Sequence, residues 1–152
     1  MLVFDTSAFI NGRNDHYPPI TFPGVWRLVE EALADGRIFL ARQVWLELCA
    51  KDDEIKSWIK DYRPVDPVRA VQESVGEIYM HFSSGNPRRD GADPFVIAEA
   101  KHRGLTVVTY EGRSFSGVPT VKWERTMPGI CRRFEVPCRT LPEALAMLGA
   151  RF

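Results

Sequence analysis

The chain is predicted to be an α/β protein with a mostly parallel sheet. Stretches with helical period alternate with short, continuous apolar runs of strand length. No internal repeat, low-complexity tract or long linker interrupts the 152 residues, so residues 1–152 read as a single domain around one core. The composition, 45% hydrophobic and 26% charged, is that of a soluble globular chain.

The first strand is Met1-Leu2-Val3-Phe4-Asp5, followed by a polar turn or short helix and then by the extended Tyr17-Pro18-Pro19. From Pro23 to Ala34, Val25, Trp26, Leu28, Val29, Ala32 and Leu33 recur with helical period. Pro23 suits the first turn of that helix and Gly36 its end. Arg37 to Ala41 reads as the second strand and Gln43 to Ala50 as a helix, continued by a polar helix from Asp52 to Lys60. Pro64 and Pro67 break the chain before an amphipathic helix from Pro67 to Phe82. A loop of small and polar residues spans Ser83 to Gly91. Asp93-Pro94 then opens a helix running to Gly104, with Asp93 as N-cap and Pro94 at the first position. Thr106 to Thr109 is a buried strand and Glu111 to Gly117 a loop. Thr120 to Trp123 and Cys138 to Thr140 read as short strands, with helices over Met127–Phe134 and Leu141–Leu148.

Lys+Arg and Asp+Glu both number 20, so no basic footprint announces nucleic-acid binding. No apolar run approaches the roughly 18 residues of a membrane span. The start lacks a basic n-region and is interrupted by Asp5, which argues against a signal peptide and for a cytoplasmic protein. Three cysteines without a CxxC pair predict free thiols rather than disulfides or a zinc site.

The chemistry is carried by four acids, Asp5, Glu47, Asp93 and Glu111, each at a strand end or helix start and each set among apolar or turn residues. Carboxylates beside buried apolar positions are costly unless compensated, and a hard divalent cation compensates them with oxygen ligation. In an open parallel sheet, Asp5 and Glu111 follow strands whose carboxyl ends face one crevice, and Asp93 can join them from a helix start. The pattern points to metal-dependent phosphoryl transfer. Each acid also has a plainer role: Asp5 and Asp93 as helix caps, Glu47 in an ion pair with Arg42 or Lys51, Glu111 in a solvated loop. Arg88, Arg89 and Arg113 flank the expected crevice and are candidate phosphate contacts, as are the hydroxyls of Thr6 and Thr109. Asp90 is a rival metal contact, and His16, His81 and His102 have no spacing that suggests a triad or zinc site.

Four segments together resemble PIN domains. Val3-Phe4-Asp5-Thr6-Ser7-Ala8-Phe9-Ile10 is similar to their first strand and turn, and Val44-Trp45-Leu46-Glu47-Leu48 to their second acidic position. Gly91-Ala92-Asp93-Pro94-Phe95-Val96-Ile97-Ala98-Glu99-Ala100 is similar to the third, and Thr106-Val107-Val108-Thr109-Tyr110-Glu111 followed by Phe115 to the fourth. The Tyr17-Pro18-Pro19 segment and the Gly-Ala-Asp-Pro-Phe-Val-Ile-Ala run further resemble a prokaryotic PIN-like subfamily. The fourth position commonly reads Thr-x-Asp, whereas here Glu111 stands two residues after Thr109.

The resemblance implies a three-layer α/β/α fold with a central, mostly parallel sheet. It implies an Mg²⁺- or Mn²⁺-dependent ribonuclease, commonly the toxin of a toxin–antitoxin pair. A homodimer and a small antitoxin partner are expected with it. Asp5 and Asp93 would be the main metal ligands, with Glu47 completing the site and Glu111 binding a second ion or orienting water. A haloacid-dehalogenase-type phosphatase would need an acid where Ser7 stands, and no convincing receiver-domain acid set is present. The remaining alternative is an inactive PIN-like partner-binding module, for which Trp58, Trp123 and Phe152 could supply surface.

Overall fold

The computed structural model describes residues 1–51, 53–82, 91–110 and 124–151. Among the described residues four strands form one parallel sheet: β1 Leu2–Phe4, β2 Ile38–Phe39, β3 Thr106–Val108 and β4 Cys138–Arg139, in the order β2-β1-β3-β4. Eight α-helices flank it among the described residues, giving a three-layer α/β/α fold. They are α1 Thr6–Asn11, α2 Pro23–Ala34, α3 Arg42–Cys49, α4 Glu54–Ile59, α5 Arg69–Tyr79, α6 Asp93–Arg103, α7 Met127–Arg133 and α8 Leu141–Met147. A π-helical turn, Gly12–His16, extends α1.

The central strands have no polar face because helices cover both sides. Leu2, Val3, Phe4, Val107 and Val108 are all buried, in the register Leu2↔Thr106, Val3↔Val107 and Phe4↔Val108. Burying each such side chain contributes about 1.5–3 kcal/mol relative to exposure. Phe4 stacks obliquely on Phe9 at 5.2 Å, which fixes α1 against the strand it leaves.

From β1 the chain crosses to β2 on one side and later to β3 on the other. The direction of winding therefore reverses between β1 and β3. In a parallel sheet the crevice at that reversal, above the carboxyl ends of the strands, is where ligands bind. Asp5 follows β1 and Thr109 follows β3 at that edge.

Several elements differ from the sequence expectation. The second strand is two residues long because Leu40 turns its carbonyl to Val65 N–H, and Ala41 bridges Val65 instead of continuing along β1. The helix expected from Asp52 to Lys60 begins at Glu54, where the Asp53 side chain caps it by accepting the Ile55 N–H. Asp93 is the first residue of α6 and Ala92 its N-cap, so the expected Asp93 cap is corrected by one position. The strand expected at Thr120–Trp123 lies outside the described residues. No helix among the described residues is long and apolar enough to cross a membrane. All three cysteines are free; Cys131 is buried, and Cys49 and Cys138 are half-buried.

Candidate functional site

Asp5 is 1% exposed at the carboxyl end of β1. Its backbone N–H still pairs with Val108 across the sheet at 2.9 Å, while its side chain caps α1. Oδ1 accepts the Ala8 N–H at 2.8 Å and the Ser7 hydroxyl at 2.7 Å. Capping is thus part of its role, with the carboxylate set at the N-terminal end of α1. Ser7 carries the neighbouring network. Its Oγ accepts the Tyr110 N–H at 3.1 Å and lies 3.4 Å from the hydroxyl of Thr109, which is 2% exposed. One hydroxyl therefore ties the residues after β1 to those after β3. Ser7 follows another hydroxyl residue, Thr6, and nothing in the local sequence singles it out.

Glu47 projects from α3 toward the same edge. It pairs with neither Arg42 nor Lys51; Arg42 instead meets Asp66 at 3.0 Å. The Glu47 carboxylate reaches across the fold, where Oε2 accepts the Thr6 hydroxyl at 2.5 Å and Oε1 accepts the Ala92 N–H at 2.6 Å. Gly91 lies directly beneath it, and a Cβ built there would overlap Oε1. Glu47 therefore bridges the turn that carries Asp5 and the turn that carries Asp93, segments separated by almost ninety positions in the chain.

Asp93 is half-buried in the first turn of α6, where a carboxylate meets the helix dipole favourably. Behind the site is the Cys131 thiol, 0% exposed. It resists ionisation because of its hydrogen bond with Cys138, then its burial, then the negative fields of Cys138, Asp5 and Asp93. The buried Tyr110 ring is stacked on His16 with centroids 4.5 Å apart and planes 13° from parallel.

Of the expected site residues, the structure brings the segments of Asp5, Thr6, Glu47, Asp93 and Thr109 to one edge of the sheet. Glu111, Arg88, Arg89, Arg113 and the rival Asp90 lie outside the described residues. Among the described residues, no group of three His, Cys, Asp or Glu side chains is close enough to hold a metal ion. The side chains of Asp5, Thr6, Glu47, Asp93 and Thr109 offer only oxygen donors, which suit Mg²⁺ or Mn²⁺ better than a thiolate-loving metal. Two carboxylates, Asp5 and Asp93, match the one or two that Mg²⁺ usually takes from protein.

Elsewhere, the Arg13 guanidinium is packed against the rings of Trp58 at 4.3 Å and Trp26 at 4.9 Å, and burial lowers its pKa. Trp58 is half-buried in this cluster, with its indole N–H donating to Glu30, so it serves packing more than surface. Trp123 and Phe152 lie outside the described residues.

None of the curated proteins matches the chain. The family described as Domain of unknown function (DUF4411) matches residues 2–152, and the chain belongs to that family.

Proposed function

We propose that this protein is a PIN-like, Mg²⁺- or Mn²⁺-dependent endoribonuclease acting at the crevice above β1 and β3. The observation that carries the reading is the Thr6–Glu47–Ala92 hydrogen-bond chain. It holds the Asp5 turn and the Asp93 turn together at the point where the winding of the sheet reverses. Asp5 and Asp93 would hold the cation, with Glu111 as a further carboxylate. When bound, such an ion lowers the pKa of its water and neutralises charge on phosphate oxygens.

The protein's own residues supply orientation. The Ser7 hydroxyl and the Ala8 N–H fix one oxygen of Asp5, which sets the direction of the other. Burial of Asp5 keeps competing water from its capped side. Arg88, Arg89 and Arg113 would contact the phosphates of RNA, compensating for a chain with zero net charge. By the same reading the protein is the cytoplasmic toxin of a toxin–antitoxin pair, a homodimer restrained by a small antitoxin.

A second reading, an inactive PIN-like partner-binding module, is favoured by the absence of a three-acid cluster among the described residues. Labelled RNA incubated with purified protein and Mn²⁺, with and without chelator, separates the two. The nuclease reading predicts cleavage that chelator abolishes and that falls at least about 100-fold in Asp5→Asn and in Asp93→Asn, the scale of a lost electrostatic contribution to the transition state. No cleavage by the wild type favours the partner-binding module, and cleavage unchanged in both variants points to a contaminating nuclease or a different site and counts against Asp5 and Asp93.

A further inference from the structure

Glu47 occupies a seat made for it by two other segments, the turn with Thr6 and the turn with Gly91 and Ala92. Ala92 N–H takes one carboxylate oxygen and the Thr6 hydroxyl takes the other, so each oxygen already has a protein donor. The seat is also shaped sterically. Gly91 has φ of 50°, in the left-handed region that favours glycine, and its bare Cα is what lets Oε1 approach. Any side chain at Gly91 would push the carboxylate away from Ala92. These contacts join α3 to the turns bearing Asp5 and Asp93.

We infer that Glu47 is a positioning residue, a clamp that sets the spacing of Asp5 and Asp93 through Thr6 and Ala92, and that Gly91 is the residue that makes the clamp fit. This rests on the proposed metal site but assigns Glu47 a different role from direct ligation. A glutamine at the position can keep both contacts: its carbonyl accepts from Ala92, and its amide donates to the Thr6 oxygen, which can accept as well as donate. An amide lacks the charge that a direct ligand supplies.

The test compares Glu47→Gln, Glu47→Ala, Gly91→Ala and the Gly91→Ala/Glu47→Ala double variant by metal-free melting and by Mn²⁺ titration calorimetry, with Asp5→Asn as the reference for a lost ligand. Glu47→Ala should lower the metal-free Tm by about 5–10 °C, because it removes two charge-assisted hydrogen bonds. It should also weaken Mn²⁺ binding by about 10–100-fold, the range for residues that hold ligands in place. Glu47→Gln should recover most of the Tm and bind Mn²⁺ within about threefold of wild type, since its hydrogen bonds survive.

Gly91→Ala should destabilise the wild type more than it destabilises Glu47→Ala, because the overlap with Oε1 is then gone and only the backbone strain remains. A Glu47→Gln variant that folds like wild type but loses Mn²⁺ as fully as Asp5→Asn would overturn the inference and make Glu47 a ligand. If the wild type binds no Mn²⁺, the metal reading fails separately. The clamp is then judged on the metal-free arm, where a Tm unchanged in Glu47→Ala, or additive effects in the double variant, would overturn it.

Discussion

Glu47 shows what a single residue discloses in sequence and what it conceals. An acid within Val44-Trp45-Leu46-Glu47-Leu48 has to find a compensating partner, and that much was legible from the apolar run around it. The partner was not, because the local candidates Arg42 and Lys51 are the wrong ones. The donors that win are 41 and 45 residues away, brought in by the sheet. Ser7 is the reverse case, a small hydroxyl with no local distinction that becomes the bridge between the ends of β1 and β3. Ser7→Ala removes a donor to Asp5 and the acceptor it offers to Tyr110. The substitution should cost about 1–2 kcal/mol, read as a lower urea midpoint with an unchanged m-value. A change within a few tenths of a kcal/mol would show that the bridge contributes little to the fold.

At the scale of elements, helix boundaries set by proline and glycine were the most legible. Pro23 opens α2 as expected, and α6 ends at Gly104, whose φ of 70° is left-handed. Gly104→Ala places a Cβ in that conformation with nothing nearby to offset the cost, since no atom lies within 4 Å of the added carbon. It should destabilise by about 1 kcal/mol and lower Tm by about 2–4 °C, measured by calorimetry. No loss would mean that the end of α6 relaxes freely. The edge strands were less legible because their ends depend on which neighbour takes the backbone hydrogen bonds. Leu40 turns to Val65, and no apolar pattern in residues 37–41 signals that choice. The shift of Asp93 from cap to first helical residue has the same character. Asp-Pro marks the start of the helix well but leaves its register open by one position.

For the whole molecule, the alternation of apolar runs and helices sufficed to predict the parallel sheet. The order β2-β1-β3-β4, with its reversal between β1 and β3, then places the Asp5 turn at the crevice. That the Asp5 turn and the Asp93 turn meet, bridged by Glu47, follows from that topology and not from any local pattern. A charge balance of zero gave no help, since the arginines that would meet a phosphate backbone are a matter of position and not of sum.

The central claim is that oxygens from distant segments meet around one divalent cation. A crystal of the protein soaked in Mn²⁺ and measured for anomalous scattering tests it most directly. The account predicts a peak coordinated by the carboxylates of Asp5 and Asp93 at the carboxyl end of β1, with Glu47 still hydrogen-bonded to Ala92. A well-ordered crystal with no peak there, or with Mn²⁺ bound only at another surface, would contradict it.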